Sequence, residues 1–384
     1  VLPIIMVYLA QTLTLTIAQS AFVIGVYTMS SSLSQPFFGY LSDKAAGHPF
    51  SKWQSALGLA WLAIFQGLTG FATSYGMLLG LVALAGLGSA AFHPHGASGA
   101  NKSGGARKTS AMAVFMMGGN SGYAAGPLVA GLLLESLGVH GSVWISIIGL
   151  LLVPLVYLAG RSAGVAAPKN PSSQTNATNT RNAALKFGAL AIAALMLLMF
   201  LRAWTQSAVT SFMPIYFTKI AGLTVPQAAQ KAFINLFALA IGGLLGGILA
   251  DRFGGKRVLV GTLLVYAPAT YLLFSTHGAA TLLIAPLAGF VAGASWPPLI
   301  VMAQDVFPKN AGGASGISLG FAFAMGGIGQ SITGWLADNV LGLQPSLLML
   351  AVLPVLAAAL VFALPSRKQI SVSGEYATAR PGRF

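Results

Sequence analysis

The chain predicts an all-α integral membrane protein made of two pseudo-symmetric six-helix bundles. Three observations predict it. Apolar runs of spanning length recur along nearly the whole sequence, basic residues keep to alternate loops, and the first half repeats in the second at one fixed offset. Of 384 residues, 56% are hydrophobic and only 7% are charged, against about 25% charged in an ordinary soluble domain. A helix needs about 20 residues to cross the ~30 Å hydrocarbon core. Twelve such spans are expected, the first of them truncated.

The net charge of +14 would suit a nucleic-acid binder, but the positions of the charges exclude that class. Of the 20 Lys and Arg residues, all but Lys219, Lys231 and Arg202 fall in the loops near residues 44, 102, 169, 256 and 309 or in the C-terminal tail. This is the positive-inside bias, so those loops and the tail are expected to be cytoplasmic. The expected location is the bacterial inner (plasma) membrane, with the lipid bilayer as partner and no nucleic acid. The absence of cysteine excludes a disulfide framework, thiol catalysis and a thiolate metal site. Six acids and five histidines supply no convergent catalytic set, so neither an enzyme nor a metal site is expected, and no cofactor.

Val1 to Leu9 is apolar but too short to span, and reads as the end of a first helix whose beginning is missing. A Thr-rich connection follows from Ala10 to Ile17. The second span, about 19–41, carries Ser30, Ser31, Ser32, Ser34 and Gln35, a polar stripe of the kind that faces another helix or a cavity. Gly39 to Lys44 is expected to form a tight turn with an acid-base pair. Spans at 54–73 and 76–98 come next, then a basic loop with Lys102, Arg107 and Lys108, and spans at 109–135 and 142–160. These close an N-terminal bundle over 1–161. Residues 162–184 hold Pro168, Pro171 and a run of Ser, Gln, Thr and Asn without apolar periodicity, the composition of a polar cytoplasmic linker. The C-terminal bundle, 185–364, offers spans at 185–218, 227–250, 258–275, 279–304, 314–336 and 346–364, and a basic tail occupies 365–384. Trp296-Pro297-Pro298 should disrupt the tenth span, because proline removes a backbone donor and clashes with the preceding turn.

The repeat fixes the relation of the halves. Gly39, Leu41, Asp43 and Lys44 match Gly247, Leu249, Asp251 and Arg252 at an offset of 208. Gly104-Gly105-Ala106 matches Gly312-Gly313-Ala314, and Phe115, Met117, Gly118 and Gly119 match Phe323, Met325, Gly326 and Gly327, at the same offset. Two halves in one orientation joined by a polar linker are the parallel-repeat plan of a transporter whose site lies between them.

Polar residues in an apolar chain are the candidates for function. His93 and His95 stand two residues apart and so point about 200° apart on a helix, leaving only one able to face a cavity. His93 is read as a substrate contact or proton relay, or else as an interhelical hydrogen-bonder, and His95 as an interfacial residue. Arg202 lies near the middle of the seventh span, where a lipid-facing charge costs ~2.5–3.5 kcal/mol. It is either an anchor for an anionic substrate or a structural tie to carbonyls or to Asp305, and Trp204 and Gln206 lie in the same region. Asp305 itself is a gate charge or an interface residue. Asp43-Lys44 and Asp251-Arg252 are either conformational latches that cap a neighbouring helix or solvated turn charges. Gly118, Gly122 and Gly126 allow close helix approach, and Pro127 allows a kink.

Two sets of these residues resemble known families. Gly247-Ile248-Leu249-Ala250-Asp251-Arg252-Phe253-Gly254-Gly255-Lys256-Arg257 resembles the loop signature of the major facilitator superfamily, with Gly39 to Lys44 a shorter copy, and Gly122 to Pro127 resembles the glycine-proline motif of its drug/proton antiporters. Ser34-Gln35-Pro36, Phe92-His93-Pro94, Gly118-Gly119-Asn120, Phe200-Leu201-Arg202 with Trp204, and Gly326-Gly327-Ile328-Gly329 resemble the fosmidomycin-resistance branch; His95 stands where that branch carries an acid. The resemblance implies the major facilitator fold and proton-coupled efflux of a small organic compound, fosmidomycin or a similar anionic drug, by a monomer that uses protons as coupling ion. It places Gln35 and Asn120 with His93, His95, Arg202, Trp204, Gln206 and Asp305 on the substrate or proton pathway. Uptake or exchange of an endogenous organic anion, and ligand binding by a non-transporting receptor, are the alternatives.

Overall fold

The computed structural model describes residues 1–44, 48, 50, 53–103, 108–162, 177–306 and 311–364, with 42, 43, 94, 97–103, 108–117, 161, 162, 177–189, 304–306 and 311–323 described by backbone alone. All regular structure among them is helical. The first half comprises α1 (Leu2–Thr12), α2 (Ile17–Lys44), α3 (Gln54–Leu68), α4 (Tyr75–Ser103), α5 (Lys108–Leu137) and α6 (Ser142–Ser162). The second comprises α7 (Ala177–Lys219), α8 (Val225–Phe253), α9 (Gly255–Ser275), α10 (Thr281–Ala294), α11 (Trp296–Val306), α12 (Ala311–Asn339), α13 (Leu343–Met349) and α14 (Val352–Ala363).

Two pairs of these helices are interrupted rods. Pro297 and Pro298 have no N–H for the carbonyls of Gly293 and Ala294, so α10 stops at Ala294 and α11 starts at Trp296. Pro354 does the same to Leu350, whose carbonyl bonds Leu353 N at 3.2 Å instead, and this separates α13 from α14. Counting each pair once gives twelve rods among the described residues, in the positions the apolar runs predict.

Two expectations are corrected. Gly39 to Lys44 is not a turn, because α2 continues through Lys44, and Gly247 to Arg252 likewise lies inside α8. The reversal comes later, at Gly254, whose φ of 92° is open to glycine. The expected linker is also shorter on one side: residues 163–176 lie outside the described residues, but 177–184 already belong to α7. No Pro or Gly follows Pro171 until Gly188, so nothing in the sequence stops the helix from extending beyond its apolar part. The tail, 365–384, lies outside the described residues.

Within each half, small residues set the packing. Gly86 of α4 lies against Tyr27 and Ser30 of α2, and a Cβ there would come within 2.7 Å of the Tyr27 carbonyl. Gly242 and Gly246 of α8 press on Phe290 and Ala294 of α10, and Gly289 and Gly293 of α10 press back on Asn235 and Leu239. Hydroxyls tie α3 to α6, with Ser142 Oγ donating to the Gly67 carbonyl at 2.7 Å and Ser146 Oγ to that of Ala63. Close approach and interhelical hydrogen bonds take over from a hydrophobic drive that vanishes in lipid.

Candidate functional site

The halves meet along two seams, α2 with α12 and α5 with α8. In the first, Gly25 faces Ser331 and Gly327, and Gly334 faces Ala21 and Ala18; a Cβ on Gly25 would lie 3.1 Å from the Gly327 carbonyl. In the second, contact is made near the α7–α8 turn, where a Cβ on Gly131 would lie 3.6 Å from Pro226 Cα and 2.5 Å from Ala229 Cβ. Both contacts lie toward the end that holds the α1–α2 and α7–α8 turns. Toward the basic end the second seam is apart. Residues 118 to 123 of α5 are all exposed, which at 100° per residue covers the whole circumference of the helix, and a Cβ on Gly118, Gly119 or Gly122 would meet nothing within 4 Å. Across from them Phe237, Ile241, Leu244 and Ile248 of α8 are exposed as well. A cavity between the halves is thus closed at one end and open at the other.

At the bottom of this cavity a crevice of about 40 Å³ is walled by α1, α5, α7 and α8, with Ile4, Tyr123, Pro127, Thr210 and Asn235 among its lining. Tyr123 reaches across to Thr210, has Tyr27 as neighbour, and is 53% exposed. Tyr27 in turn reaches Ser89 of α4, which also accepts from Ser31 Oγ at 3.0 Å. Gln206 Nε2 donates to Thr210 Oγ1 at 3.1 Å while its Oε1 is buried without a partner among the described residues. Deeper in the C-terminal half, Gln330 is fully buried, accepts from Ser207 at 2.8 Å and Ser211 at 2.5 Å, and donates to the Ala21 carbonyl of the other half at 3.5 Å. Trp204 belongs to this packed layer, its Nε1 donating to Thr333 at 2.8 Å.

The structure separates the two histidines. His95 Nδ1 pairs with Ser55 Oγ at 2.7 Å, which ties α4 to α3 inside the N-terminal half. His93 is exposed, and Phe92 meets its ring edge-on at 5.6 Å. Gly86, Ser89 and His93 follow one another at helical spacing on the face of α4 that meets α2. Carried past the Ser31–Ser89 pair, that register sets His93 level with the half-buried Gln35. Asn120 is exposed on the same face of α5 as Tyr123 and Pro127.

For Arg202, read from the sequence as an anion anchor or as a structural tie to carbonyls or to Asp305, the structure shows a tie to a carbonyl. It is 5% exposed and spends its donors on the interrupted rod. Its Nη2 donates to the Ala292 carbonyl at 2.7 Å, its Nε to Ser295 Oγ at 3.2 Å, and its guanidinium lies 4.4 Å over the Trp296 ring. The Ala292 carbonyl lies in the last turn of α10, at the negative end of the helix dipole, so a cation is favoured there.

Gly118 and Gly122 also depart from the close-packing reading, since they face open space in this conformation. Gly126 does approach α1, where its Cβ would lie 3.0 Å from Val1. Asp251 and Arg252 are exposed and form no ion pair among the described residues; Arg252 lies 5.4 Å over Phe253. Lys44 is exposed, and the side chains of Asp43 and Asp305 lie outside the described ones.

One latch was missed by the sequence reading, and it sits at the opposite end from the expected ones. Asp338, in the last turn of α12, accepts from the backbone N–H of Ile17 at 3.1 Å and of Ala18 at 2.5 Å at the start of α2. Thr16 and Gln19 complete a capping box there, Thr16 N to Gln19 Oε1 at 2.9 Å and Gln19 N to Thr16 Oγ1 at 3.1 Å. The same box recurs 208 residues on as Thr224 and Gln227, but there Pro226 replaces Ala18 and removes the donor, and Ala130 stands in the place of Asp338. The repeated box was the available signal for that end of α2.

The comparisons with known proteins agree with this architecture. The family model described as Major Facilitator Superfamily matches residues 1–232 and 195–380. An uncharacterized MFS-type transporter of Bacillus subtilis (strain 168), YfnC, is 35% identical over 96% of this chain and 90% of its own length. The fosmidomycin resistance protein of Escherichia coli (strain K12) is 31% identical over 92% of this chain and 86% of its own. Among solved structures, a bacterial homolog of the human lysosomal transporter Spinster, in an inward-facing and occupied conformation, superposes with a TM-score of 0.75 at 17% identity, covering 99% of this chain and 96% of that one. The twelve rods, the repeat and these relatives together make the chain a multi-pass membrane transporter, not an enzyme, and a member of the major facilitator superfamily.

Proposed function

We propose that the protein exports a small organic compound across the bacterial inner membrane in exchange for protons, and that fosmidomycin or a similar anionic drug is its substrate. The observation that carries this reading is the 31% identity to the fosmidomycin resistance protein over 92% of the chain. The distribution of charge supports the orientation: the open end of the cavity bears the basic loops, and basic loops stay in the cytoplasm. The conformation is then inward-open, the state in which an exporter loads.

With Arg202 committed to the α10–α11 break, the anion is recognised by neutral donors, the hydroxyls of Tyr27 and Tyr123 and the amide of Asn120, with His93 exposed on α4 as proton carrier. The two bundles, 1–161 and 185–364, rock about the site as a monomer. Closing the cytoplasmic end brings Gly118 and Gly122 against α8 and engages Asp43-Lys44 and Asp251-Arg252, while Asp338 lets go at the other end. Proteoliposomes in which the pH gradient and the fosmidomycin gradient are varied separately test this. Fosmidomycin moving against the direction of proton flow is expected. Drug and protons moving together overturn export by exchange, and no flux under either gradient overturns the substrate.

A further inference from the structure

At the closed end of the C-terminal half, a pocket of about 270 Å³ lies between the end of α7, the start of α8 and the α9–α10 turn. Its wall contains a buried cation. Lys231 is 9% exposed, yet its ammonium makes one hydrogen bond among the described residues, to Thr281 Oγ1 at 2.6 Å. That hydroxyl is held in turn by donating to the Gly278 carbonyl at 2.7 Å, and the ring of Phe217 lies 5.6 Å from the ammonium. No carboxylate pairs with Lys231 among the described residues. An ammonium has three donors, and a buried charge that keeps one bond and no counterion is strongly disfavoured unless something else completes it.

The fold does not require a lysine at this position. The equivalent residue of the N-terminal half, 208 positions earlier, is Val23, which is fully buried in the core. The other polar groups of the wall suit the same ligand. His277 lines the pocket with its ring stacked parallel to Tyr216 at 6.3 Å. Gln227 fixes its Oε1 on Thr224 N at 3.0 Å, which leaves its amide donors for the pocket.

We propose that this pocket binds a small tetrahedral oxyanion of the phosphate type, with Lys231 as counter-charge and His277 and Gln227 as flanking donors. An ammonium is a compact point charge with three donors, the form in which lysine binds phosphate. The anion is free in solution or is the headgroup phosphate of a lipid, and the site is separate from the cavity between the halves.

The test uses the full chain in dodecyl maltoside, a detergent that carries no phosphate, and follows its thermal midpoint. Inorganic phosphate is titrated against chloride of equal ionic strength; in a second arm, phosphatidylglycerol is titrated into the micelles. A saturable rise of the midpoint in one arm is expected, and the arm that shows it identifies the source. Lys231→Val, which installs the residue of the other half, should abolish the rise, and Lys231→Arg should keep it. His277→Ala, at an exposed ring, should weaken it several-fold without changing the midpoint in the absence of anion. An equal response from the wild type and Lys231→Val overturns the site, and so does no response from the wild type in either arm. If Lys231→Val does not fold, an unaltered response in His277→Ala overturns it.

Discussion

The carboxylate of Asp338 lies 2.5 Å from the amide nitrogen of Ala18, so the last turn of α12 in one half caps the first turn of α2 in the other. Removing a capping carboxylate costs about 0.5–2 kcal/mol. In the proposed alternating cycle that cost falls on only one conformation, the one in which this end is closed. In the proposed cycle, Asp338→Ala should therefore raise the ratio of the opposite conformation to this one roughly 2- to 30-fold, the change that about 0.5–2 kcal/mol produces. The chain contains no cysteine, so spin labels introduced at Ser121 of α5 and Ile248 of α8 report the two states without background. An unchanged distance distribution would remove the latch.

Arg202→Ala should destabilise the protein by about 2–4 kcal/mol, since it deletes two charged hydrogen bonds worth roughly 1.5–3 kcal/mol each and a cation–π contact, partly relieved by relaxation. Thermal unfolding in detergent measures the loss, and transport should fall in proportion to the folded fraction. Loss of transport at unchanged stability would return Arg202 to the substrate path.

Glycines at the two seams should respond differently to one added side chain. Gly122→Val meets open space in this conformation and should leave stability unaltered while arresting the proposed transport cycle, because α5 then cannot close on α8. Gly25→Val collides with the Gly327 carbonyl and Ser331 and should lower the thermal midpoint. Equal effects from the two substitutions would contradict the open seam.

His93→Gln should flatten the pH dependence of exchange, whereas His95→Gln, which alters a bond to Ser55 within one half, should leave its shape unchanged. Exchange measured across pH 5 to 8 covers the range in which imidazole titrates.

Tyr123→Phe removes one hydroxyl from the cavity and nothing from the seams. A single hydrogen bond is worth about 0.5–1.5 kcal/mol, so KM for the exported compound should rise roughly 2- to 10-fold with kcat little affected. A fall in kcat at constant KM would assign Tyr123 to the conformational step.

Helix positions and the pairing of the halves were legible in the sequence because both rest on local patterns, apolar runs and a fixed offset. The interruption at Pro297 was legible for the same reason, since a missing N–H is a covalent fact. What occupies the interruption was not, because Arg202 meets Ala292 and Ser295 only after α7 packs on α10. The two histidines were half legible: helical spacing required that they diverge, but only the position of Ser55 decides which one is tied inside a half. Tyr27 and Tyr123 went unnoticed because a lone tyrosine in a span carries no pattern, and its neighbours come from three other helices. Asp338 was hidden for a related reason, since its partners are backbone groups, which every sequence has.

The seam formed by Gly25 and Gly327 reaches the middle of its helices, while their equivalents on the other side, Phe233 and Gly119, are not in contact, and the Phe233 ring is stacked on Phe237 at 5.8 Å. In the proposed rocking cycle, repeated halves thus make an unequal device, with a spine at the middle of α2–α12 and a fore-edge at α5–α8. Displacement grows with distance from a spine, so a rotation of a few degrees that leaves Gly25 touching Gly327 swings Gly118 through a much longer arc.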